Sequence, residues 1–310
     1  MTEETLSFSL LGLNIYVYGL LIALGAAYTL IFFARYCKAE GLKPGTAPLF
    51  AALSIPLGLI CSRLLFCLLD FRFHSMFSLR AMLMFWGGGF SMVGALLGAA
   101  LAAWLTARIQ HIAPIRVLDI MAASILFFMV WARMAEMGTE LLGRSRPLTN
   151  AWLADSFLSE SDGYDGYLRT YLLEAVTAGI LAVIMAVRFQ RTRSANGSLL
   201  TVMLLLGAAQ VFWESLRFDS HMRYSFISMQ QILFALMFAV PLVVYAARCG
   251  KKEVITALGA CAVLVGAIVG LEFMIDRSSV NNLILYIPYA LLLAVPVWLG
   301  LRYKKRSEQI

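Results

Sequence analysis

Arg63 in "GLICSRLLF", Asp119 in "VLDIM", Arg133 and Glu136 in "WARMAEM", Glu174 in "YLLEAV", and Glu214 and Arg217 in "FWESLRF" all stand inside apolar runs. An ionised side chain near the middle of a bilayer costs at least about 2.5–3.5 kcal/mol, so such groups need partners, water or a task. Glu214 and Arg217 are three residues apart, a spacing that on a helix puts both on one face. Arg133, Glu136 and Glu140 likewise run down one side of a span end. Several arginines meeting in one place suit a phosphate, because guanidinium groups bind its oxygens bidentately with charge assistance. The same residues admit a plainer reading, in which the arginines only neutralise buried glutamates. Tyr18, Ser91, Arg144, Gln210 and Gln231 are the other polar residues of these neighbourhoods.

The elements that must hold these groups are membrane helices. With 61% hydrophobic and only 14% charged residues, the chain falls far below the roughly one-quarter charged content of soluble domains. Apolar runs of the length needed to cross a bilayer, about 20 residues, recur near 14–36, 48–70, 82–107, 117–135, 170–189, 199–216, 227–247, 254–272 and 282–301. The expected fold is therefore an all-α polytopic helical bundle. No stretch is long and polar enough for a separate soluble domain.

Net charge is +7, yet the basic residues form no patch that would suit nucleic acid; they alternate between loops, which is a topology signal. Arg35, Lys38 and Lys43, then Arg108 and Arg116, then Arg188, Arg191 and Arg193, then Arg248, Lys251 and Lys252, and finally Arg302 to Arg306 mark the inner connections. Acidic residues such as Glu3, Glu4, Asp155, Glu160, Asp162, Asp165 and Asp276 gather on the other side. Nine spans with the N-terminus outside and the C-terminus inside satisfy this pattern. Arg63, Arg133, Glu140, Glu214 and Arg217 then fall in the outer half of the membrane, together with Tyr18 and the glycine stretch "FWGGGFSMVGALLG".

In that stretch, Gly94 and Gly98 have the spacing of a helix-packing face. Gly88, Gly89 and Ser91 are where backbone and hydroxyl can approach a lipid headgroup. The acidic start "MTEETLSFSL" lacks the basic leader of a signal peptide. The five cysteines have neither disulfide nor metal-ligand spacing, so no metal and no cofactor are expected. His74, His111 and His221 read as loop residues. Residues 136–169 form the longest break between spans, and connections of that length are more often functional than idle. The last two spans carry few embedded polar groups and read as a structural helix pair.

In this order along the chain, "VYGLLIALG", "GLICSRLLFCLLD", "WGGGFSMVGALLG", "ELLGR" at 140–144, "LLEAV", "QVFWESLR" and "ISMQQIL" resemble the motifs of the bacterial prolipoprotein diacylglyceryl transferase family. Asp119 also stands fourteen residues before Arg133, the spacing of that family's signature arginine from its upstream aspartate. The resemblance covers about residues 14–245. It implies seven family-like spans in a core at 1–250, with an outer loop at 136–169 and a C-terminal helix pair and basic tail at 251–310.

It further implies transfer of a diacylglyceryl group from phosphatidylglycerol, or another anionic phospholipid, to the lipobox cysteine of a prolipoprotein in the bacterial inner membrane. On that reading Arg133 and Arg217 hold the phosphate, and Glu140 and Glu214 position the arginines or polar substrate groups. Tyr18, Arg63, Gly88, Gly89, Ser91 and Arg144 line the lipid site. The chain departs from the family pattern at Val93, where a histidine is usual, at Glu136 in place of an asparagine, and at Gln210 in place of an arginine. These departures raise a second reading, a catalytically divergent paralogue that binds phospholipid or lipoprotein without transfer. Membrane-embedded charge alone also raises a lipid transporter, although the chain shows no repeated half.

Overall fold

The computed structural model describes residues 7–10, 13–70, 79–85, 88–138, 143–148, 150–161, 163–218, 222–277 and 282–309. Among these, nine helices are long and apolar enough to cross a membrane: α1 (Val17–Ala39), α2 (Thr46–Leu69), α3 (Met92–Gln110), α4 (Pro114–Ala135), α5 (Thr170–Thr192), α6 (Ser198–Leu216), α7 (Met229–Cys249), α8 (Lys251–Arg277) and α9 (Asn282–Ser307). The chain forms a multi-pass helical bundle, as its composition predicts.

One boundary differs from the hydropathy reading by about three helical turns. The third apolar run begins near residue 82, but helix α3 starts only at Met92, where Ser91 Oγ accepts the Gly94 N–H at 3.3 Å. A serine in extended conformation that caps an orphan helical N–H is a strong start signal. Before it, Gly88 and Gly89 adopt φ of 70° and 76°, which a right-handed helix does not allow.

The helices belong to two compact units, one of Met1–Leu199 with Arg217–Met222, the other of Leu200–Leu216 with Arg223–Ile310. In the first unit α2 packs along α3, α1 along α4, and α4 along both α3 and α5. Without a hydrophobic drive between helices in lipid, close packing of small residues holds such contacts. A Cβ on Gly94 would lie 2.6 Å from both Cys61 O and Ser62 Cα, so only glycine lets α2 and α3 approach this far. Ala99, Ala102, Ala103 and Ala107 continue the buried stripe along α3.

Two carboxylates tie the connections at one end of this unit. Asp119 accepts the N–H groups of Gly197 at 3.0 Å and Leu199 at 2.8 Å. Glu40 accepts the Ala195 N–H at 2.6 Å and faces Arg116 at 3.6 Å. The turn from α3 to α4 is closed by His111 in the left-handed region (φ 55°), with Pro114 opening α4, where its missing N–H is harmless.

The long break after α4 carries a three-stranded antiparallel sheet of β3 (Arg144–Pro147), β4 (Ser159–Ser161) and β5 (Gly166–Arg169), with β5 central. A two-stranded hairpin of β1 (Ser7–Leu10) and β2 (Leu13–Tyr16) precedes α1. In the second unit α7, α8 and α9 pack mutually. Hydrogen bonds from Gln231 Nε2 to Val211 O at 3.3 Å and from Tyr286 OH to Ser215 O at 3.0 Å join α7 and α9 to α6. Ahead of α7, β6 (Arg223–Tyr224) and β7 (Ile227–Ser228) make a tight hairpin.

Candidate active site

Helix α4 ends at Ala135 and α5 begins at Thr170, so the residues around these two ends lie on the membrane side that carries 136–169. Within the first unit four buried charges assemble there. Arg133 Nη1 donates to Glu136 Oε1 at 2.7 Å, and Arg133 Nε faces Glu174 Oε2 at 2.6 Å. Arg217 Nη1 lies 2.9 Å from Glu136 Oε2 and 3.1 Å from Glu174 Oε1. Each carboxylate thus spans both guanidiniums, and the four formal charges cancel.

Sequence places these groups by three different means. Arg133 and Glu136 sit three apart across the end of α4, where the backbone remains α-helical at Glu136, so the helical spacing brings them together. Glu174 projects from the second turn of α5 and is fully buried. Arg217 has left α6: its backbone makes an antiparallel bridge with Ser145 of β3, and the next N–H, of Phe218, bonds Arg144 O at 2.9 Å. Helix α6 therefore ends one residue before Arg217. Glu214 belongs to the second unit, where its Oε2 accepts from Ser228 Oγ at 3.2 Å.

Gly143 walls the quartet. At φ 72° it occupies the left-handed region, and a Cβ there would stand 2.7 Å from Glu136 Oε2 and 2.9 Å from Tyr171 Cβ. Its carbonyl accepts from Thr170 Oγ1 at 2.6 Å and from the Thr170 N–H at 3.0 Å, which pins the start of α5 beside it.

A second cluster of the first unit holds Arg63. Its Nη1 donates to Gly88 O and, at 3.0 Å, to Gly89 O. The positive φ of both glycines turns two successive carbonyls toward one guanidinium. Ser62 Oγ bonds Ser91 O at 2.7 Å, fixing this segment on α2. Ser91 is completely buried, and its hydroxyl is engaged in the helix cap. Arg144 turns into the small sheet, where it pairs with Glu160 at 3.0 Å and lies over the Tyr167 ring. Tyr18 is half-buried in the first turn of α1. Glu140, His74 and His221 lie outside the described residues.

Of the residues expected to form the site, Arg133 and Arg217 are brought together. Their carboxylate partners are Glu136 and Glu174, to neither of which the sequence motifs assign a site role. The signal for Glu174 is its position inside an apolar run; its pairing depends on the rotation of α5, which spacing along one helix cannot reveal.

A sequence-family model described as prolipoprotein diacylglyceryl transferase matches residues 5–247. The chain is 28% identical over 207 residues to a phosphatidylglycerol–prolipoprotein diacylglyceryl transferase of Frankia alni, covering 66% of this chain and 55% of that protein. A protein of the same name from Clostridioides difficile is 28% identical over 116 residues, covering 37% and 46%. The chain therefore spans about half the length of these two relatives. With a third, from Bacillus velezensis, identity is 24% over 244 residues, covering 77% of this chain and 89% of that protein. The chain belongs to the prolipoprotein diacylglyceryl transferase family.

Proposed function

We propose that this member of a transferase family moves a diacylglyceryl group from phosphatidylglycerol, or another anionic phospholipid, to the lipobox cysteine of a prolipoprotein. In that reaction the cysteine thiolate attacks a glycerol carbon. A sulfur–carbon bond forms, the carbon–oxygen bond to phosphate breaks, and glycerol phosphate leaves with the electron pair. Charge grows on the phosphate as the bond breaks, so fixed cationic donors aimed at it lower the barrier. Arg133 and Arg217 are the donors in this reading.

The observation that carries it is the convergence of these two guanidiniums, from α4 and from the segment after α6, on one buried pair of carboxylates. A buried ion cluster is seldom the most stable filling of its space; apolar residues of like volume are often as good or better. Its presence at a span end therefore favours a task over a purely structural role. Glu174 holds both arginines in place. Arg63, Gly88, Gly89 and Ser91 shape the lipid site beside α2, with Tyr18 and Arg144 as further lining groups.

The family match, which ends at residue 247, supports a core at 1–250 and an added helix pair with a basic tail at 251–310. The loop charges support a bacterial inner-membrane protein with its N-terminus outside and C-terminus in the cytoplasm. Transfer from phosphatidylglycerol to a lipobox peptide by the purified protein, and rescue of a strain depleted of its own transferase, are the expected outcomes. No product above background at high enzyme concentration overturns the assignment.

A further inference from the structure

The two carboxylates of the quartet bridge the same guanidiniums but are not equivalent. Glu174 is 0% exposed in the body of α5, whereas Glu136 retains 7% exposure at the end of α4, where a single 3-10 turn begins. Gly143 packs closely beside Glu136 Oε2, where a Cβ would stand 2.7 Å away. Glu136 presents one oxygen to each arginine, Oε1 at 2.7 Å to Arg133 and Oε2 at 2.9 Å to Arg217. The two non-bridging oxygens of a phosphodiester offer the same arrangement and the same single charge.

Charge balance among these four described groups bears on which anions the two arginines accept. The quartet sums to zero, so a phosphodiester added to it leaves one uncompensated negative charge in a buried place, which is strongly unfavourable. Arg133, Arg217 and Glu174 alone sum to +1, which matches a monoanionic phosphodiester. We infer that Glu136 is an exchangeable counter-anion: it occupies the donor phosphate's place at rest, yields it when the lipid enters, and returns when the product leaves. This rests on the reading of Arg133 and Arg217 as the phosphate site.

The exchange also separates substrate from product. Glycerol phosphate is a monoester carrying close to two negative charges near neutral pH, more than the remaining +1 balances. Glu136 competes with it at both arginines and drives its release. A residue that only supported the fold would not weaken the binding of substrate and product together.

Glu136→Gln tests this, since it removes the charge and keeps the size. Binding is measured directly, with no transfer step, in two arms: the protein in nanodiscs of stated phosphatidylglycerol content titrated against a phosphatidylcholine background, and soluble sn-glycerol 1-phosphate added to the phosphatidylcholine discs. In Glu136→Gln both ligands should bind at least ten-fold more tightly than in the wild-type protein. The variant should melt at a lower temperature in phosphatidylcholine and recover on adding phosphatidylglycerol, as a ligand that binds only the folded state requires. Glu174→Gln should show no such gain.

Unchanged or weaker binding of both ligands by Glu136→Gln overturns the exchange, as does an equal gain in Glu174→Gln. Should Glu136→Gln fail to fold, Glu136→Asp keeps the charge but shortens its reach across the two arginines. A smaller gain of the same sign supports the exchange, and no gain overturns it. Transfer to a lipobox peptide is assayed in parallel. Tighter binding without any wild-type transfer removes the transferase reading and leaves the exchange standing, whereas transfer with unaltered binding removes the exchange alone.

Discussion

In the first unit, Arg133, Glu136, Glu174 and Arg217 meet charge with charge; in the second, the buried carboxylate of Glu272 is met by neutral donors. Gln231 Nε2 donates to Glu272 Oε1 at 2.6 Å and Tyr289 OH donates to the same oxygen at 3.0 Å, while Gln231 and Tyr289 lie 2.8 Å apart. These three residues come from α7, α8 and α9, so the network clasps three helices together. A carboxylate satisfied by an amide and a phenol has no cation to lend to an arriving anion. Two arginines shared between two carboxylates can trade one of them for another anion at no net change of charge. The Glu272 cluster lies within apolar helices, whereas the arginine cluster gathers at helix ends and an adjoining strand bridge. The C-terminal helix pair, expected to be structural, is fastened through a polar residue rather than by apolar packing alone.

Removing one member from each cluster sharpens the contrast. Glu174→Ala leaves two buried guanidiniums with one carboxylate between them and should cost about 3–5 kcal/mol of stability, read by reversible unfolding in detergent. Arg133→Ala and Arg217→Ala should each lower transfer by about 10²–10³-fold, the size seen when one stabilising donor is lost. Glu272→Gln, by contrast, should leave transfer within about three-fold of the wild-type rate; a loss as large as that of the arginine variants would erase the distinction between the two clusters. Glu272→Ala should cost about 1–3 kcal/mol, the penalty for stranding buried donors, with transfer per folded molecule preserved. Smallest of all, Glu160→Ala breaks the partly exposed pair with Arg144 and should cost less than about 1 kcal/mol, read by the same unfolding assay.

Much of the fold is legible in the sequence because a bilayer leaves few options. Nine apolar runs of sufficient length correspond to nine helices among the described residues, and Arg133 and Arg217 stand out as charges with no cheap place to be. Hydropathy misplaces the start of α3 because it does not distinguish glycine in a left-handed turn from glycine in a helix. Only the serine cap at Ser91 marks the true boundary. Partner choice is the harder part. Helical spacing identifies Arg133 with Glu136 correctly, since Glu136, one residue past the end of α4, keeps helical backbone angles. At Arg217 the chain has already left the helix, which ends at Leu216, and the Arg217 backbone bridges Ser145. Glu174 joins the quartet through the packing of α4 on α5, a contact between elements that no single-helix pattern encodes.

The bridge from Ser145 to Arg217, with the adjoining bond from Phe218 to Arg144, has a pharmacological consequence. The position of a membrane-buried guanidinium is set by a strand of a small sheet that lies beyond the span ends. A water-soluble binder that wedges between β3 and residues 217–218 would disarm the buried pair from outside. Such a molecule need never partition into lipid.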